Sequence, residues 1–140
     1  MKILLYLWQL PQHLAALLVY GFLTVARKRM NPPSSPFKPE EIVALSIPYF
    51  GLCLGEYIFL GYKELEGSGY GKLTRQTLNH EIGHQKQSRY LGPLYLLIVG
   101  LPSITRNIYN RLRRKGSAWY YSGWPENDAD RRGGVSRNPW

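Results

Sequence analysis

The sequence predicts a small α+β domain preceded by an apolar helix. Three features carry that reading. Residues 3–26 are almost wholly apolar, residues 42–60 are rich in strand formers, and residues 72–90 hold no proline or β-branched run before Gly92-Pro93. A chain of 140 residues is long enough for one domain with one modest core.

The first segment, ILLYLWQLPQHLAALLVYGFLTVA, is long enough to cross a bilayer. Arg27-Lys28-Arg29 follow it and only Lys2 precedes it, so a spanning helix would leave its C-terminal flank, and the domain beyond, in the cytoplasm. Gln9, Pro11, Gln12 and His13 interrupt the run and are costly against lipid. A broken helix lying in the interface, with Trp8 and Tyr20 at headgroup depth, is the alternative, and an ordinary core helix is the bland one. We therefore expect residues 1–30 to form a membrane-associated helix, residues 31–39 (NPPSSPFKP) a proline-rich linker, and residues 40–140 the domain.

Within the domain, Ile42 to Pro48 reads as one strand. Leu52, Leu54, Glu56, Ile58 and Leu60 alternate along a second, with a hairpin turn near Tyr49 to Gly51. ELEGSGYG at 64–71 is a loop. The helix over 72–90 has sparse apolar positions, Leu73, Leu78 and Ile82, so core packing alone does not explain it and something must occupy its polar face. Residues 94–105 are apolar but too short to span, which suggests a buried helix or a membrane-dipping segment. Ile104, Ile108 and Leu112 continue it as a basic amphipathic helix. GSAWYYSGW at 116–124 reads as an aromatic loop. Pro125 opens a short helix over Glu126 to Arg132, Gly133-Gly134 end it, and Val135 to Trp140 are expected to fray.

The formal net charge is +9, concentrated at 27–29, 106–115, Arg131, Arg132 and Arg137. No nucleic-acid-binding signature accompanies these clusters, and two adjoin apolar runs, so an anionic membrane surface is the expected partner and nucleic acid is not. The single cysteine, Cys53, excludes an intrachain disulfide and a cysteine-ligated zinc. Any metal site must use histidine and carboxylate.

The chain has three histidines, and two of them fall in His80-Glu81-Ile82-Gly83-His84. On a helix His80 and His84 share a face one turn apart and can reach one ion, while Glu81 can serve as base towards the water beside it. The bland alternative is a pair of surface histidines, and it leaves the helix's polar face unexplained. A third protein ligand is needed. Tyr90 and Gln87 stand where a metzincin would have histidine and glycine, and His13 lies in the apolar segment. After His84 the acids are Glu126, Asp128 and Asp130. Glu126 and Asp130 share a helix face, so one can bind the metal and the other can accept a hydrogen bond from a ligating histidine.

HEIGH at 80–84 followed by ENDAD at 126–130 resembles the HExxH…ExxxD pattern of the gluzincins, the thermolysin-like zinc peptidases. The resemblance implies a small zincin-like fold with Zn2+ on His80, His84 and Glu126. It makes Glu81 the general base in peptide hydrolysis, has Asp130 orient a histidine, most simply His80, and makes a peptide or protein the substrate. HEIGHQKQSRYLGPLY, GLPS and ENDADRRGG also resemble segments of short bacterial proteins, which bring no activity with them. No histidine follows His84 to match the gluzincin residue that stabilises the transition state, so Tyr120, Tyr121 or an arginine would have to take that role. Two other classes are consistent with the sequence. One is a zinc-stabilised membrane adaptor without turnover, and the other is a basic binding protein in which HExxH is incidental.

Overall fold

The computed structural model describes residues 1–26, 42–45, 47, 50–61 and 72–137. The expected linker at 31–39 and loop at 64–71 fall outside them. The described elements are α1 (Lys2–Trp8), α2 (Leu10–Val25), β1 (Ile42–Leu45), β2 (Gly51–Leu54), β3 (Tyr57–Gly61), α3 (Lys72–Leu91), α4 (Leu101–Arg113), α5 (Ser117–Ser122) and α6 (Glu126–Gly133). A 3₁₀ turn (Gly92–Leu94) and a π-helical turn (Leu96–Gly100) join α3 to α4. The class is α+β, as the sequence predicts.

The sheet has the order β1-β3-β2, with β1 parallel and β2 antiparallel to β3. The expected hairpin is therefore misplaced. Its turn is not near 49–51: the run read as one strand over 51–60 folds back at Gly55-Glu56, pairing Leu54 with Tyr57. Gly55 has φ +65°, which suits a two-residue turn, and a Cβ there would collide with the His13 ring. Glu56 leaves the strand pattern and is buried in the turn.

Helices cover both faces of the sheet. On one face Ala16 and Leu23 of α2 pack with Leu45, Leu54 and Phe59. On the other, Leu78 of α3 packs with Cys53, Ile58 and Leu60, and Ile82 lies against them. Alternate residues of each strand thus feed two separate clusters. The N-terminal apolar segment supplies one of these layers. It is not one straight helix, because α1 and α2 meet at an 85° bend at Gln9.

The polar residues that interrupt this segment all find partners in the body of the protein. Gln9 donates to Glu56 Oε1 (2.9 Å) and accepts from Ser88, Gln12 donates to Gly92 O, and His13 Nε2 accepts from the Glu56 amide (3.1 Å). Trp8 Nε1–H donates to Arg89 O (3.0 Å), and the Trp8 ring fills the space a Cβ at Gly92 would need. At Gly92 (φ +54°) α3 stops, and the chain departs into α4 at a 119° bend.

Three further expectations are corrected. Residues 94–105 are not a buried helix: Tyr95 and Val99 are buried, but Leu94, Leu97, Ile98 and Leu101 are exposed. The aromatic stretch at 116–124 contains α5. The tail is tied down as far as Arg137, whose Nε and Nη2 donate to the two oxygens of Asp130 (2.6 and 2.9 Å) and whose guanidinium lies over the Tyr121 ring.

Candidate metal centre

The polar face of α3 is sandwiched. Towards the sheet and α2, Gln85 donates to Glu56 O (3.0 Å) and Ser88 reaches Gln9. Towards α6, His80, His84 and Gln87 face Glu126, Asp128 and Asp130. All six of those side chains are buried.

The two helices approach closely because glycine stands at both contacts. A Cβ at Gly83 would meet the backbone of Ala129, and one at Gly133 would meet Asn79 O. Gly83 sits between the two histidines, so the close approach falls where α6 must deliver its acids. Gly133 is therefore a packing residue, and the helix ends one position later at Gly134, with φ +71°.

Glu126 is fully buried, and its Oε2 lies 3.0 Å from His80 Nε2 and 3.2 Å from His84 Nε2. The three ligand atoms all fall within 4.8 Å of one another. The far nitrogens are each engaged. His80 Nδ1 lies 2.7 Å from Asp130 Oδ1, and a carboxylate can only accept, so this nitrogen carries a hydrogen. His84 Nδ1 lies 2.8 Å from Gln87 Oε1. The Gln87 NH2 faces two acceptors, Asp128 Oδ2 (2.8 Å) and Pro125 O (3.2 Å), so its oxygen turns to His84, and His84 Nδ1 must be the donor. With hydrogens fixed on both Nδ1 atoms, both Nε2 atoms turn towards the Glu126 carboxylate, and displacing the proton held there would free their lone pairs for a cation. That geometry suits a metal.

Ser103 Oγ–H donates to Glu126 Oε1, and the Tyr120 hydroxyl lies 3.2 Å from Ser103 Oγ. The Tyr121 ring stands edge-on to His80, centroids 5.1 Å apart. Glu81 is buried against the start of β2, where a side chain in place of Gly51 would displace its carboxylate.

The charges follow from burial and these bonds. Burial alone would lower His80, but Asp130 and Glu126 raise it to about 9. Burial alone would raise Glu126, but the two histidines and Ser103 hold it well below the carboxylate range. Asp128 is brought down to about 2 by Gln87, Arg131 and Arg132 against its desolvation, and Asp130 is lowered by His80 and Arg137 against its own. Burial pushes Glu81 up, with His84 and His80 opposing. Burial likewise raises Tyr120 and Tyr121, so both hydroxyls keep their protons at neutral pH. The centre is thus a buried cluster with a carboxylate anion at its heart, and a divalent cation can replace the protons now shared by the histidines.

Sequence reasoning brought together His80, His84, Glu126, Asp130 and Glu81, and the structure gathers the first four around one point with Glu81 on the same helix. It did not find Gln87, Gly83 or Ser103. Gln87 had a legible signal, since it follows His84 by three positions and so shares its helix face. Gly83 and Ser103 had none, because their roles depend on which helix lies opposite.

No family model matches the chain, and no curated protein or solved structure matches it.

Proposed function

We propose that this protein is a zinc-dependent metallopeptidase of zincin-like architecture. Its zinc would be held by His80, His84 and Glu126, with Glu81 as the general base. The observation that carries the reading is the convergence of two imidazole Nε2 atoms and one carboxylate oxygen beside a helix whose next residue is Glu81. Zinc bonds of about 2.0–2.1 Å in a tetrahedron set ligand atoms about 3.3 Å apart, and the Nε2–Oε2 distances of 3.0 and 3.2 Å suit that spacing. A His2Glu set is one that catalytic zinc uses, and zinc in it polarises a carbonyl and makes water acidic enough to lose a proton near neutrality.

The chain's own groups would do the rest. Asp130 and Gln87 hold the two rings in register. Ser103 and Tyr120 hold Glu126. Glu81 takes a proton from the attacking water and passes it to the leaving amine. Tyr120 commits its one hydroxyl hydrogen to Ser103, so of the two tyrosines Tyr121, beside His80, is the donor we assign to the developing oxyanion. The β2 strand pairs with β3 alone among the described residues, and its Gly51 abuts Glu81, so its other side is where an extended peptide would add a strand.

Glu81→Gln tests the mechanism. The variant should keep its zinc while cleavage of a fluorogenic peptide library falls by about 10²–10⁴-fold. Hydrolysis at the wild-type rate would refute the role of Glu81. A second reading rests on a different observation: Glu126 joins α6 to α3, so zinc could clamp the fold in a protein without turnover. Under that reading the wild-type chain carries zinc and cleaves nothing in the same library.

A further inference from the structure

The helices around this core bury polar side chains among their inward residues and carry a second apolar face outwards. In a helix that shields a core from water, apolar side chains point in and polar ones out. In α2 the side chains facing the body are Gln12 and His13 together with Ala16 and Leu23, and those facing away are Leu10, Leu14, Leu17, Leu18 and Phe22. Leu18 is 76% exposed, whereas Gln12 is 0% exposed. The same holds on α1, where Ile3, Leu4 and Leu7 are exposed and the adjoining Gln9 is buried. The second bent pair repeats the pattern. Leu94, Leu97, Leu101, Ile104 and Ile108 follow one another at helical spacing, and all are exposed. The opposite side of α4 carries Ser103 and Arg106, which bond to Glu126 and to the Tyr120 carbonyl.

The two apolar surfaces are adjacent. Leu96 packs against the Ala16–Leu23 cluster, and Gln12 and Trp8 are both fastened to the chain around Gly92. The charges around them have one sign. Residues 1–26 and 92–125 contain no Asp or Glu, and they carry Lys2, Arg106, Arg111, Arg113, Arg114 and Lys115. The last four cluster at the end of α4 beside Leu112, which is exposed.

We propose that these two bent helix pairs form one lipid-facing surface, seated in the headgroup and upper acyl region of a bilayer with anionic lipids. A second copy of the chain fits less well, since a face with cations and no acids would meet its own like charge, whereas anionic headgroups complement it. The bends of 85° and 119° suit a surface that dips into one leaflet, and no single helix among the described residues is long and apolar enough to cross. The inference does not depend on the metal chemistry.

Vesicle flotation of the full-length chain tests it. The wild type should float with phosphatidylcholine vesicles containing about a quarter phosphatidylglycerol, and more weakly with phosphatidylcholine alone. The double substitutions Leu14→Glu/Leu18→Glu and Leu97→Glu/Leu101→Glu alter only outward-facing side chains, so each variant should keep the wild-type circular dichroism and lose flotation by at least about tenfold. Arg111→Gln/Arg113→Gln/Arg114→Gln should remove the preference for the anionic vesicles and leave the fold intact. Flotation unchanged in both leucine variants would overturn the proposal. So would a wild-type chain that stays in detergent-free buffer as a defined oligomer and does not float, because the same face would then be covered by protein.

Discussion

Gly83→Ala separates the stability of the helix from the geometry of the metal centre. Within an ordinary helix the exchange favours alanine by about 1 kcal/mol. Here the added Cβ would stand 2.6 Å from the Ala129 carbonyl carbon and 2.9 Å from its Cα, with the carbonyl oxygen nearer still. Carbon–carbon contacts rest at about 3.5 Å, so α6 must withdraw by roughly 1 Å. Overpacking of this kind costs about 1–3 kcal/mol, and set against the gain in helix propensity it leaves a folded protein up to about 2 kcal/mol less stable. The same displacement acts directly on the site. Glu126 Oε2 stands 3.0 and 3.2 Å from the two Nε2 atoms, and a further 1 Å would bring both distances to about 4 Å, which one ion spans only with its bonds nearly in line. Under the proposed assignment, zinc affinity should therefore fall on the order of 10- to 100-fold, as when the support of metal ligands is disturbed. Competition against a fluorescent zinc chelator measures the affinity, and thermal melting of the metal-free protein measures the fold. A variant that binds zinc as tightly as the wild type would refute the claim that Gly83 sets the approach of α6.

Two further outcomes follow from particular contacts. Gln87→Leu removes the acceptor that fixes His84 and one of the three donors to Asp128, so under the proposed assignment zinc affinity should drop by about 10- to 100-fold in the same competition assay, and an unchanged affinity would show that His84 does not need this support. Glu56 carries a pH signature. Burial alone would raise it, but Arg89 (Nη2–Oε2 2.5 Å) and Gln9 outweigh that and hold it below its usual value. A depressed carboxyl contributes stability above its unfolded value of about 4.3 and loses that contribution as pH falls through the lower folded value. Metal-free Glu56→Gln should be less stable than the wild type at pH near 7 by about 1–3 kcal/mol, the range for hydrogen bonds to a buried charge, and the gap should narrow below pH of about 4. Urea unfolding at the two pH values measures it, and a gap that does not narrow would count against the sign worked out here.

What the sequence determined by itself was local. The spacing of His80 and His84, and of Glu126 and Asp130, places each pair on one helix face because 3.6 residues make a turn in any surroundings. Gly92-Pro93 stops α3 and Gly134 closes α6 for reasons equally internal to a few residues. The tertiary structure decided the rest. It moved the hairpin turn to Gly55-Glu56, because strand pairing is a bargain among three strands and the pattern of one strand does not reveal its partners. It made Gly83 the seat of α6, since the need for glycine there arises only from the helix lying across it. It gave Gln9, Gln12 and His13 buried partners 43 to 80 positions away, so residues that read as flaws in an apolar helix hold that helix to the body. Helical spacing is set by covalent geometry within a turn, whereas the partner of a buried polar group depends on how whole layers dock, and no local pattern carries that.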